Sequence, residues 1–341
     1  MIASGPRGGG SAHRALVAVG QPYHLLARNS AHRWWIPLAS VLLAAAFGFL
    51  FLMAALGLLW GFALLPRGLP RLDALGGDEA VVRSVLNDPM FQLWSGFAAL
   101  VAMVPAVAVV ARVVQHRPFG SVTGVAGAVR WRWLGKCGLV AAAVFVPAFA
   151  VEAAYEHATG APGSGGQFPG WAVYGRIALL GVLVVPLQSA AEEYVFRGFL
   201  YQTLTAWFRV PWIAMAVSSV LFLLGHGYTD PLVWVQLLLM AGCACWLASR
   251  TGGLEGGIAM HTANNVIGLL LEATSGVPDM QQAGSFAVMS VLPFLAAIPT
   301  YTWIIDRLAL RARLDTVIGG RASVRPLALR PRDDLRVTGT R

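Results

Sequence analysis

The sequence predicts an all-α fold, a polytopic membrane helix bundle of about eight transmembrane helices. Three observations carry this. Hydrophobic residues fill 57% of the 341 positions and charged residues only 12%, where a soluble fold carries about 25% charged residues to cover its surface. Mean hydropathy is +0.65. The apolar residues gather into runs near the length of about 20 residues that a helix needs to cross the hydrocarbon core. The length alone would permit two soluble domains, but such a surface could not be solvated.

In chain order the runs lie near 36–65, 92–113, 136–155, 171–190, 212–227, 231–249, 256–272 and 285–305. The first is long enough to tilt or to extend beyond the bilayer. It is also too long for the h-region of a signal peptide, so no cleavable leader is expected. The chain divides into a flexible basic tail (1–35), N-terminal transmembrane helices (36–160), a transmembrane core that carries the polar motifs (171–306) and a second basic tail (307–341). No internal repeat at a fixed period is visible.

The loops sort by charge. Arg7, Arg14, Arg28 and Arg33 precede the first span without an acid. Arg112, Arg117, Arg130, Arg132 and Lys136 follow the second, and nine Arg, Arg307 to Arg341, follow the last. Glu152 and Glu156 lie between spans three and four, and Glu272 and Asp279 after span seven, with no Lys or Arg. Both termini are therefore expected in the cytoplasm, in agreement with an even number of spans. The loop at 66–91 runs against this, with Arg67, Arg71 and Arg83 on the outer side.

The net charge of +9 and the pI of about 10.2 follow this topology pattern rather than a nucleic-acid patch, so no nucleic-acid partner is expected. The tails either anchor topology or lean on anionic headgroups, at about 1 kcal/mol per basic residue near the surface. The Arg-rich, Lys-poor, Ala- and Gly-heavy composition suggests a bacterial inner membrane. Cys137, Cys243 and Cys245 form no C-x-x-C pair and read as apolar filler.

Ionisable groups within a span cost at least about 2.5 kcal/mol each at the helix centre. This chain concentrates them in 192–265. In AAEEYVFRG, Glu193 and Arg197 are i,i+4 and share a helix face, while Glu192 is turned about 100° away. Arg197 can neutralise Glu193 and leave Glu192 free; solvated charges at an interfacial helix end are the alternative. In LFLLGHG, Phe222 and His226 are i,i+4, and a lone His there is more often a structural hydrogen-bonder. In MHTANNV, His261 and Asn265 aim two polar side chains at one point, with Asn264 beside them. Interhelical glue is the alternative for that pair.

Together these residues suggest water activation. A carboxylate plus an imidazole can deprotonate water, and a second imidazole plus an amide can stabilise a tetrahedral oxyanion. Glu192, His226 and His261 also suit zinc or another divalent metal with an open water position. A metal-free mechanism stays equally open, since the strong single-helix zinc signature HExxH is absent.

At these residues the chain resembles the CPBP family of intramembrane proteases, which includes the type II CAAX prenyl endopeptidases and the bacterial ABI family linked to bacteriocin processing or self-immunity. The family pattern is matched by Glu192-Glu193-x-x-x-Arg197, Phe222-x-x-x-His226 and His261-x-x-x-Asn265. The resemblance covers about 180–270. It implies peptide-bond hydrolysis in a membrane-associated peptide or protein. By the same resemblance Glu192 is the general base with His226, His261 and Asn265 form the oxyanion site, Glu193 and Arg197 brace it, and Phe222 packs beneath His226. A proton-coupled transporter using the same buried groups is a second reading, and a catalytically silent membrane scaffold or immunity protein a third.

Depth sets a condition. Glu192 and His226 each lie about 17 residues from the turn expected at 208–211, so antiparallel helices hold both roughly 20–25 Å from it at 1.5 Å per residue. His261 follows the TGGLEGG turn (251–257) by only a few residues. The three can meet only if the helix after Pro186 continues past 190, or if the helices are staggered.

Overall fold

The computed structural model describes residues 19–64, 83, 87–160, 166–278 and 288–319. Among them there is no strand; the regular elements are helical. Eight principal helices follow in order: α1 (Ile36–Leu64), α2 (Pro89–Val113), α3 (Trp131–Thr159), α4 (Trp171–Phe208), α5 (Pro211–Leu224), α6 (Pro231–Thr251), α7 (Glu255–Glu272) and α8 (Val288–Ala312). Six of them, α1, α2, α3, α4, α6 and α8, are long and apolar enough to cross a membrane. The expected spans 212–227 and 256–272 are the shorter α5, of 14 residues, and α7, of 18. At 1.5 Å per residue these reach about 21 and 27 Å, short of a core about 30 Å thick. Both carry part of the polar constellation.

Local chemistry sets the helix ends. Asp88 accepts from the amides of Met90 and Phe91 at the start of α2, and Asp230 from Leu232 at the start of α6. Pro89, Pro211 and Pro231 occupy first-turn positions, where no intrahelical N–H is lost. The turn between α4 and α5 falls at Arg209 (φ +59), within FRVP.

The fourth span is longer than expected: α4 continues past 190 for 38 residues in all. Pro186 does not end it, because the chain is already irregular at Val184 and the proline sits in the first turn of the next stretch. Residues Tyr194–Leu200 are wound as a π-helix. Such insertions are frequent at functional sites.

The helices are also staggered. The loop at 120–130 reaches in under the turn between α6 and α7: Val125 N–H donates to Gly252 O (2.8 Å) and Leu254 N–H to Thr123 O (3.2 Å). Arg130 clamps the turn through Glu255 (2.9 and 2.6 Å) and the Thr251 carbonyl (2.8 Å). The same loop rests on the π-helix, where a Cβ on Gly198 would stand 2.7 Å from Val122 Cγ1. So α7 begins level with the π-helix of α4 rather than at its far end.

Helices in lipid gain little from hydrophobic transfer and associate by close packing. Small residues permit it around α7: Gly256 lies against Leu247 and Ile305, Gly257 against Glu193 and Ala244, and Gly268 against Phe149. The largest buried cluster joins α3, α5, α6, α7 and α8 through Phe145, Phe222, Met240, Leu247, Met260 and Tyr301.

Two expectations are corrected. Residues 19–35, assigned to a flexible tail, are packed: Tyr23 and Leu26 are fully buried, and Tyr23 donates to the Val122 carbonyl at 3.0 Å. They bury because YHLL presents apolar surface that the basic composition of the segment obscures. The assigned C-terminal tail begins within α8, which runs to Ala312, and its continuation joins the N-terminal segment. Gly20 N–H donates to Ile318 O (2.7 Å) and Ile318 N–H to Gln21 O (3.0 Å). Arg117, counted as a loop charge, is fully buried on Gln115, Ser121 and Gln202, and burial pulls its pKa down to about 9. The GPRGGGSAHR stretch, Arg67, Arg71, Asp279 and the chain beyond 319 lie outside the described residues.

Candidate active site

Glu192 and Glu193 end the stretch of α4 that precedes the π-helix, and both are buried. Arg197 Nη1 lies 2.9 Å from Glu193 Oε1, and both side chains are 1% exposed. The guanidinium also lies 4.1 Å over the Phe222 ring. Arg197 therefore holds Glu193 and not Glu192.

Phe222, on α5, orders both imidazoles. Its ring centroid is 4.4 Å from that of His226 and 5.7 Å from that of His261. Its carbonyl lies 2.8 Å from His226 Nδ1. A carbonyl can only accept, so Nδ1 carries the hydrogen and Nε2 keeps its lone pair. That Nε2 lies 3.9 Å from Glu192 Oε2. His226 follows the end of α5 and precedes Gly227 (φ +69), so it is presented by a turn rather than by a continuous helix.

His261 enters from α7. Its Nδ1 lies 3.1 Å from Glu193 Oε1, which likewise places the hydrogen on Nδ1. Its Nε2 lies 3.5 Å from Glu192 Oε2. The close seating depends on Gly257, one turn earlier, where a Cβ would stand 2.6 Å from Glu193 Oε2. The long α4 and the raised start of α7 together meet the depth condition.

Asn265 takes a different set of partners. Its Nδ2 donates to Gln188 Oε1 (3.3 Å), and its Oδ1 accepts from Asn264 Nδ2 (3.1 Å). Gln188, only 3% exposed, was absent from the sequence candidates. Its signal was available: a polar residue one turn before Glu192 in an otherwise apolar stretch.

Three acceptor atoms, Glu192 Oε2 and the two imidazole Nε2, thus face one small region. The 3.5 and 3.9 Å separations exceed a good direct hydrogen bond. A donor shared among them, such as a water molecule, suits this arrangement. Among the described residues no group of three His, Cys, Asp or Glu side chains is drawn together in the manner of a preformed metal site. A zinc or other divalent ion would be held by Glu192, His226 and His261, and no step below runs through one.

Residues 174–267, which include all seven motif residues, match the family model described as Type II CAAX prenyl endopeptidase Rce1-like. The fold and this match define the class: an integral, multi-pass membrane protein with a central segment similar to a family of membrane-bound proteases. The chain is also similar to YyaK of Bacillus subtilis (strain 168), an uncharacterized protein, with 26% identity over 196 residues. That similarity covers 55% of this chain and 62% of YyaK, so the chain spans less than two thirds of the relative's length. No solved structure matches it.

Proposed function

We propose that this protein is an intramembrane endopeptidase that hydrolyses a peptide bond of a membrane-associated peptide or protein. The observation that carries this reading is the convergence of the buried Glu192 carboxylate with the His226 and His261 imidazoles, 3.9 and 3.5 Å away. The family similarity supports the same reaction class.

In this reading a water molecule gives a proton to Glu192, with His226 Nε2 accepting its other hydrogen. The oxygen attacks the scissile carbonyl carbon, and negative charge collects on the carbonyl oxygen. His261, held through its Nδ1–H by Glu193, lines the position of that oxygen. Asn265 supplies an amide N–H. Collapse of the tetrahedral intermediate breaks the C–N bond, and Glu192 returns its proton to the departing amine.

Both termini are proposed to be cytoplasmic, in a bacterial inner membrane, with a leader peptide or membrane-anchored protein as substrate. The test is cleavage-site mass spectrometry on membranes with and without the protein. New termini within or beside membrane segments, present only with the protein, are expected; identical peptide sets would overturn the reading. Chelator treatment of the purified protein separates the metal-free from the metal-dependent mechanism: a rate within about twofold of the untreated protein supports water held by side chains alone. Loss of activity restored by added zinc would instead assign an ion to Glu192, His226 and His261.

Gly257→Ala is expected to slow cleavage at least about tenfold, since the added methyl displaces Glu193 and the imidazole it holds, and small misplacements are costly in a preorganised site. Gly268→Ala, which meets only the Phe149 ring at 3.3–3.4 Å, is expected to be milder. Parallel rate measurements on the two variants check this; equal effects would remove the special role of Gly257.

A further inference from the structure

We infer that Gln188 and Asn264 are positioning residues that clamp the Asn265 amide in one orientation for the reaction proposed above, on which this inference rests. Gln188 and Glu192 are i,i+4 on α4, and His261 and Asn265 are i,i+4 on the antiparallel α7. Glu192 faces His261 at 3.5 Å, and Gln188 meets Asn265 at 3.3 Å. The helices thus carry two polar rungs one turn, about 5.4 Å, apart. The first rung holds the proposed base, and the second holds the proposed oxyanion donor. A scissile carbonyl fits between them, with its carbon toward Glu192 and its oxygen toward Asn265.

The second rung has a defect to overcome. The terminal torsion of Asn is broad and two-fold, so an unrestrained amide exchanges its NH2 and its oxygen at little cost. Half of those orientations would set Oδ1 against the developing oxyanion. Asn265 is held at both ends: Asn264 Nδ2 donates to its Oδ1 at 3.1 Å, and Gln188 Oε1 accepts from its Nδ2 at 3.3 Å. Ser189 Oγ, 3.4 Å from Gln188 Oε1, favours the acceptor end of Gln188 facing this way. An Nδ2 carries two hydrogens, and Gln188 takes one of them. The other has a fixed direction and is available to the substrate carbonyl. Neither Gln188 nor Asn264 needs to touch the reacting atoms.

The test uses full-length protein in liposomes and a fluorescence-quenched peptide spanning a cleavage site found by mass spectrometry. Loss of an oxyanion donor costs about 10²–10³-fold in kcat, which is the expectation for Asn265→Ala. Gln188→Met, of similar shape but without the acceptor, is expected to lower kcat about tenfold, a part of that loss, with KM within about twofold. Because Gln188 acts only through Asn265, the double variant Gln188→Met/Asn265→Ala should be no slower than Asn265→Ala alone. Multiplicative losses, a loss carried by KM, or wild-type kcat in Gln188→Met would overturn the inference. Should Gln188→Met not fold, Gln188→Asn, whose amide stops one methylene short, carries the same comparison. Glu192→Gln is run beside these. Cleavage surviving in it removes Glu192 as the base and with it the mechanism on which the clamp rests, whereas cleavage lost there with multiplicative Gln188 and Asn265 losses removes only the clamp.

Discussion

Glu192→Gln is expected to fold as the wild type and to lose cleavage by about 10²–10⁴-fold, the range that a positioned general base contributes. The substitution keeps the shape of the side chain and removes only its ability to take a proton. Stability should not fall, because Oε2 of Glu192 has no hydrogen-bond donor of its own within the protein and Arg197 is committed to Glu193. The measurement is initial rate in liposomes together with thermal unfolding in detergent. A variant that unfolds at the wild-type temperature and cleaves at the wild-type rate would end the assignment of Glu192 as base. The same substitution at Glu193 should behave differently. It leaves Arg197 as an uncompensated buried cation and replaces the charged acceptor at His261 Nδ1 by a neutral amide that can also turn its NH2 toward the ring, so both stability and rate should drop.

Arg197→Met is expected to give the largest loss of stability, about 3–5 kcal/mol, the range found when one partner of a buried ion pair is removed. Neither side chain of the pair is more than 1% exposed, so solvent cannot screen the orphaned carboxylate. The change also removes the cation from the face of Phe222, the ring that both imidazoles touch. A double-mutant cycle with Glu193→Gln separates the two roles. Removing both charges should recover most of the fold, since the cost lies in the unpaired charge. Activity should not return with it, because His261 would have lost the charged acceptor that fixes its ring through Nδ1. Full rescue of both properties would reduce the pair to a structural ion pair with no part in the chemistry.

Membrane character was legible because hydropathy is additive along a chain: each run of apolar residues reports its own need for lipid, whatever its neighbours. The pairing of Glu193 with Arg197 was legible for a similar reason, since i,i+4 spacing is a property of one helix. Gln188 was missed because its partner lies on another helix; its local signal, a position one turn before Glu192, does not by itself tell a site residue from an isolated polar residue in a span. Arg117 lies between two spans, as expected, but its packing role was not legible there. Only the fold reveals that its loop is tucked against α4 and that amide and hydroxyl oxygens surround it. The packed segment at 19–35 was misread, since the N-terminal region carries Arg7, Arg14, Arg28 and Arg33 with no acid while Tyr23 and Leu26 do the packing.

The sequence by itself determined that this chain lives in a bilayer, that the ionisable groups of its apolar runs are concentrated in 192–265, and which carboxylate has a local cationic partner. Only the tertiary structure decided whether those groups meet. That depended on an α4 of 38 residues running past its expected end, and on a loop lifting the start of α7 to the level of the π-helix. Both are consequences of contacts between segments distant along the chain, such as Arg130 with Glu255. Helix periodicity specifies the direction of a side chain around its own axis; the height of one helix against another is specified only by what packs between them.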